Sequence, residues 1–171
     1  GEVATIEGAD SVLVTWPFAP VQPHAEHAVE VRVTGVDGVV SPWSAPVALR
    51  AAFLADGEWS AAFVGLAEPS GAACPGLLRT EVEIPAGVRS ATLYATAAGA
   101  YQVSVNGTDV DDAVLKPGWT VYQERMVHEA TDVTGLLRPG TNAVGIRFAG
   151  AWWTEELGFH GARHVVRTVA A

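Results

Sequence analysis

Leu78-Arg-Thr-Glu-Val-Glu-Ile84, stopped by Pro85, alternates apolar or small side chains with charged ones at a period of two. Successive side chains of a strand point to opposite faces, so this pattern predicts a strand with one buried face. The same period appears earlier in Ala28-Val-Glu-Val-Arg-Val-Thr34, with Val29, Val31 and Val33 on one face and Glu30, Arg32 and Thr34 on the other. Further strand candidates lie on either side. Ser11–Trp16 is ended by Pro17, and a proline-punctuated connection (Pro17, Pro20, Pro23) follows. Asp37-Gly38 predicts a type I′ hairpin turn. The return strand is interrupted by Ser41-Pro-Trp-Ser44 and resumes over Val47–Phe53. Ala55-Asp-Gly57 reads as a linker. Beyond it, strands are expected at Ser90–Thr96, Tyr101–Val105, Asn142–Phe148 and His164–Val169, and Thr120–His128 is expected to pair with a neighbour. Asn106-Gly107 predicts a tight turn, and Asp132 should cap a short helical turn closed by Arg138-Pro-Gly140.

Composition agrees. The 171 residues include 25 Val against 11 Leu, with 18 Gly and 10 Pro. Valine suits a pleated, half-buried surface, and frequent Gly and Pro break helices and shape turns. The 29 Ala favour helix by propensity but sit in short blocks among Thr, Val and Gly. With 49% apolar and 17% charged residues the chain is not a disordered one. No apolar run approaches the ~20 residues of a membrane helix. The single cysteine, Cys74, forms no intrachain disulfide. Ten basic against 19 acidic residues give a net charge of −9, with Lys116 the one lysine, which argues against a nucleic-acid partner. Gly1-Glu2-Val3 opens no signal peptide and the chain does not begin with Met, so a processed or cut N-terminus is expected. A cytoplasmic and a secreted origin both stay open.

Several patterns, in this order, resemble the N-terminal non-catalytic part of bacterial α-L-rhamnosidases. Val31-Arg-Val, Asp37-Gly38 and Ser41-Pro-Trp-Ser-Ala-Pro46 look like the last strands of the family's fibronectin-type-III-like module. Trp59-Ser-Ala-Ala-Phe-Val64 resembles its Trp-x-Ala-x-Trp-Ile junction, with Phe63 in place of the second Trp. Ala91-Thr-Leu-Tyr94, Gly99-x-Tyr101, Val105-Asn-Gly107, Leu115-x-Pro-Gly-Trp-Thr120-x-Tyr122 and Asp132-Val-Thr-x-Leu-Leu-x-Pro-Gly-x-Asn-Ala143 resemble its jelly-roll domain. The last of these also occurs in sugar-binding domains of β-galactosidase-like enzymes; the Pro-Gly-Trp-Thr-x-Tyr block is the more specific. The resemblance implies an all-β chain: residues 1–55 a partial fibronectin-III-like β-sandwich, residues 58–171 an antiparallel jelly-roll β-sandwich lacking some of its last strands. It also implies that the catalytic (α/α)6 barrel, with the paired carboxylates of an inverting hydrolysis, lies in chain beyond this piece.

Candidate site residues are therefore few, and none is catalytic. Adjacent acids such as Glu155/Glu156 or Asp111/Asp112 point to opposite faces of a strand, so they pair as a glycosidase dyad only in a loop, and a solvated turn is the plainer reading. Trp152 and Trp153, with Glu155, are the candidates for stacking on a sugar; the competing reading gives one Trp to the core and the other to the catalytic barrel. The family carries Gly-x-Gly before the aromatic, and Ala151 replaces its second Gly. Trp119 and Trp43 read as packing residues. Asp109, Asp111 and Asp112 form an acidic cluster that could hold calcium, although the EF-hand spacing is absent; no other cofactor is expected. His160 and His164 have helical zinc spacing, but Gly158 and Gly161 argue against a helix there. Asn106-Gly-Thr108 matches a glycosylation acceptor, with the turn reading preferred. The expected function is that of a non-catalytic rhamnosidase fragment that packs the catalytic domain or assists binding of rhamnose-containing glycans. The alternatives are a stand-alone carbohydrate-binding module and a structural β-sandwich of another glycosidase. Strands left exposed by an incomplete module should oligomerise or fray.

Overall fold

The computed structural model describes residues 1–10, 12–66 and 75–154. The chain divides into two compact units, Gly1–Ser60 and Ala61–Ala171. The described residues are nearly all β, every ladder is antiparallel, and the only α-helix is a single turn. The all-β expectation holds. The strand candidate His164–Val169, His160, Cys74 and the Glu155/Glu156 pair lie outside the described residues.

In the first unit, β1 (Glu26–Val29) pairs with β2 (Val47–Arg50), and Arg50 forms an ion pair with its register partner Glu26. The strand expected over residues 28–34 is thus cut short. Beyond Val29 the backbone is tied to Ser41 and Ser44 by two bonds from each serine. Its N–H donates to a carbonyl (Ser41 to Val33 at 2.9 Å, Ser44 to Val31 at 2.8 Å) and its hydroxyl accepts the N–H of the same residue at 3.0 Å. Side-chain oxygens here accept the N–H groups that ladder carbonyls would otherwise take. The Asp37-Gly38 turn also differs from the expected type I′. Gly38 N–H donates to Gly35 O at 2.9 Å and only Gly38, at φ +78°, is left-handed, while the Asp37 carboxylate accepts from Val39 N–H. Residues 12–16 form no strand. Val31 and Val33 are exposed, so their period-two face meets no covering layer among the described residues.

The second unit holds the larger core. β3 (Gly76–Ile84), β8 (Gly140–Ala149), β5 (Ala100–Val105) and β6 (Thr108–Asp109) form a sheet in the order β3-β8-β5-β6, while β4 (Thr92–Ala95) and β7 (Glu129–Asp132) form a second. Register places Gly76, Phe148 and Tyr101 in one row and Leu78, Ile146 and Val103 in the next. This face, with Ala97, packs against Leu93 and Ala95 of the second sheet, making a β-sandwich. Gly76 is required in its row: a Cβ there would lie 2.4 Å from the Phe148 ring. On the outer face, Arg147 donates to Gln102 and to both carboxylate oxygens of Asp109 at 2.8 Å. Residues 110–128 join β6 to β7 with no strand or helix, so the pairing expected of Thr120–His128 does not form.

At one end of this sandwich sits Asn142, 0% exposed. Its amide donates to Arg138 O (2.7 Å) and Gly140 O (2.8 Å), and its carbonyl accepts from Arg138 N–H (3.0 Å) and the Asn106 amide (2.8 Å). Asn106, at φ +52° with Gly107 at +85°, makes the tight turn between β5 and β6; its Oδ1 accepts Ala143 N–H and its Nδ2 also donates to Leu136 O. Leu136 closes a 3₁₀ turn (Thr134–Leu136); the Asp132 carboxylate accepts Thr134 N–H at 2.9 Å, but the N-cap position falls to Val133, which makes no side-chain cap bond, so Asp132 is not the cap expected of it. Replacing the Asn142 side chain strands several buried polar groups. We expect Asn142→Ala to lower stability by about 2–4 kcal/mol in urea unfolding, a cost in the range of leaving buried donors and acceptors unmade.

Candidate functional site

The connection 110–128 and the turn after β8 carry the residues singled out from the sequence. The structure does not gather Asp109, Asp111 and Asp112 into a calcium site. Asp109 faces Arg147 and Gln102, Asp111 faces Lys116, and Asp112 is exposed. Among the described residues no group of three acidic, His or Cys side chains is placed to hold a metal ion. Each carboxylate with a basic partner is already neutralised by it, so the cluster in sequence is not a cluster in space.

Lys116 is the residue that sequence reasoning passed over. It is 4% exposed, its ammonium lies 2.6 Å from Asp111 Oδ2 and 5.3 Å from the centre of the Tyr101 ring, and its carbonyl accepts Tyr101 N–H at 2.9 Å. Asp111 Oδ1 accepts Ala113 N–H, which orients the carboxylate. The bond from Lys116, with smaller help from Ala113 and Thr131, holds the Asp111 carboxyl below the usual carboxylate range against the opposing effect of burial. Tyr101 donates its hydroxyl to Ala95 O, and burial, with the negative charges of Glu129 and Asp111, pushes that phenol well above its ordinary value. The signal available in sequence was the one lysine of the chain standing in a Leu-Lys-Pro-Gly-Trp turn.

The aromatics sort differently from one another. Trp119 is 70% exposed, so the packing its setting suggests is not made among the described residues. Trp152 and Trp153 lie on α1 (Ala151–Thr154), half-buried, entered through Ala151 at φ +38°. A left-handed residue there accounts for the glycine that the resembling family places at that position. Trp153 meets Tyr122 edge to face, with ring centres 5.1 Å apart. The Tyr122 hydroxyl is buried with no hydrogen-bond partner among the described residues, and burial raises its pKa. Trp153 therefore makes at least one packing contact inside the unit. Glu155 lies outside the described residues. Trp43, in the first unit, carries the Arg32 guanidinium 4.7 Å from its ring centre.

Two pH dependences follow with opposite signs. Asp111 titrates lower when folded, so its contribution is present above the unfolded value of about 4 and is lost as pH falls through the folded pKa. Asp111→Asn should therefore flatten the acid limb of unfolding midpoint against pH. Tyr101 titrates higher when folded, so its contribution is present below the unfolded value of about 10 and is lost as pH rises beyond it. Tyr101→Phe should weaken the alkaline loss of stability, followed by circular dichroism alongside phenolate absorbance.

Comparison with known proteins matches both units. A family model described as Rha78A-like, N-terminal immunoglobulin domain covers residues 2–55, and one described as alpha-L-rhamnosidase N-terminal domain covers residues 86–169. An α-L-rhamnosidase of Formosa agariphila is 29% identical over 88% of this chain, and one of Streptomyces avermitilis is 37% identical over 62%. The chain spans only 17% and 11% of those two proteins. The crystal structure of native α-L-rhamnosidase from Aspergillus terreus superposes with a TM-score of 0.81 at 35% identity, over 95% of this chain and 20% of that one. With its two units matched in chain order by N-terminal domains, the chain is an N-terminal region of the α-L-rhamnosidase family.

Proposed function

We propose that this chain is the non-catalytic N-terminal region of an enzyme that hydrolyses terminal α-L-rhamnosyl linkages, and that it serves the catalytic part as a packing scaffold. The observation that carries this reading is the match of both units to rhamnosidase N-terminal domains, while the chain spans less than a fifth of the two relatives' lengths. We read residues 1–55 as the fibronectin- or immunoglobulin-like module and residues 58–171 as the jelly-roll domain. Packing is favoured over sugar stacking by the Tyr122–Trp153 contact, which spends one of the two candidate platforms inside the unit. The exposed Trp119, Leu115 and Val121 suit burial against the rest of such an enzyme.

The chemistry agrees with a scaffold role. Both carboxylates of a glycosidase dyad must flank the bound sugar at a defined separation. The acids Asp109 and Asp111 are instead each held by a basic side chain, Arg147 and Lys116.

The test is to extend the polypeptide beyond Ala171 through its parent gene. The longer protein should release rhamnose from an aryl α-L-rhamnoside and this chain alone should not; an inert longer protein would count decisively against the proposal. In the longer protein, Trp119→Ala should lower the unfolding midpoint more than in this chain alone, as expected where Trp119 is buried by the added part. An assisting role in glycan binding predicts a tryptophan fluorescence change when this chain is titrated with millimolar L-rhamnose, and a flat titration removes that role.

A further inference from the structure

The connection 110–128 has no ladder of its own, so its position depends on a few anchors. Val110 N–H donates to Val103 O at 3.1 Å, Tyr101 N–H to Lys116 O at 2.9 Å, and Thr96 Oγ1 to Val127 O at 2.7 Å. Tyr122 abuts Trp153. Apolar burial adds little in the middle of the segment, because Val114, Leu115, Trp119 and Val121 are all exposed. The one side chain of its central part that is fully buried is a charged one, Lys116.

A buried ammonium is costly unless paired, and a buried pair contributes more to placement than to net stability. Lys116 is tolerable at 4% exposure only while Asp111 meets its ammonium and the Tyr101 ring lies beneath it. Both charged partners lie on the same short stretch of chain, five residues apart. If that stretch lifts, the two charges regain water together, and no buried charge is left behind in the sandwich. Opening therefore strands no charge, and the groups it releases on other elements are the neutral Tyr101 N–H and Thr131 side chain.

We infer that Lys116 is a positioning residue, a latch that holds residues 111–122 on the end of β5 and seats Tyr122 against Trp153, and that this segment opens as a local unit without unfolding of the sheets. The inference is independent of any sugar binding, and the two fail in different experiments: rhamnose titration does not interrogate it.

Because Lys116 is the one lysine, amine acylation followed by peptide mass spectrometry reads it directly, with the α-amino group of Gly1 as an exposed internal standard. In the unaltered chain, local opening predicts a slow acylation rate at Lys116 that barely changes with urea below the unfolding transition. A rate that rises with urea in step with global unfolding from the first addition would overturn the latch. Asp111→Asn should raise Lys116 acylation at least tenfold and speed amide exchange at Tyr101 and Gly118, whose N–H groups donate to Lys116 O and Leu115 O. Amides of the β3–β8 ladder should keep their protection. A change within twofold at Lys116, or an equal loss of protection across the β3–β8 ladder, would refute a local device. If Asp111→Asn does not fold, the urea series on the unaltered chain decides alone.

Discussion

The Asn142–Asn106 amide pair is the contact on which the second unit rests. One fully buried side chain answers the carbonyls of Arg138 and Gly140 and the N–H of Arg138, and the other answers Ala143 N–H and Leu136 O. Buried backbone groups that no ladder can reach must find partners elsewhere, or each costs as much as a lost hydrogen bond. Here two amides discharge that need for the β5–β6 turn, the start of β8 and the end of the 3₁₀ turn at once. The turn is tied in its own right to the second sheet, since Thr134 Oγ1 accepts Ala91 N–H and Val133 N–H donates to Ala91 O. A polar clamp thus fixes one end of the sandwich while Phe148, Tyr101 and Val103 fill its middle.

The two units solve the same problem of backbone satisfaction by different means. In the second, long ladders do the work and inward rows bury apolar surface. In the first, ladders are short and the serine hydroxyls of Ser41 and Ser44 substitute for ladder carbonyls. Aromatic edges supplement them, Trp16 against Phe18 and His27, and Phe53 against His24 and Trp59. Hydrogen bonds to side chains hold a shape without removing much apolar area from water. That is why valines patterned for a core remain exposed in the first unit.

A charge decides the opposite design at the connection after β6. Where the Asn pair joins several elements, the Lys116–Asp111 pair is local to one segment, and it places that segment without contributing much apolar burial. The exposed Trp119 and the engaged Trp153 follow from this placement: one side of the segment meets the turn after β8, and the other faces outward.

Much of the architecture was legible in the residues. Period-two alternation marked β3, and Asn106-Gly107 marked its own turn, because each is a local rule of backbone geometry. The ordered motifs marked the family, since nine such patterns in one order rarely arise by chance. What the residues could not show was which polar groups would meet. Asp109, Asp111 and Asp112 are neighbours in sequence, yet Arg147, forty residues away from them in round terms (38 from Asp109), claims one and Lys116 another. The alternation of Val29, Val31 and Val33 likewise states that a face could be buried, not that a layer covers it. By itself the sequence determined strand period, turns and family, which depend on near neighbours along the chain. Only the tertiary structure decided the burial of Lys116 and Asn142 and the exposure of Trp119, because desolvation and ion pairing depend on what folding brings alongside.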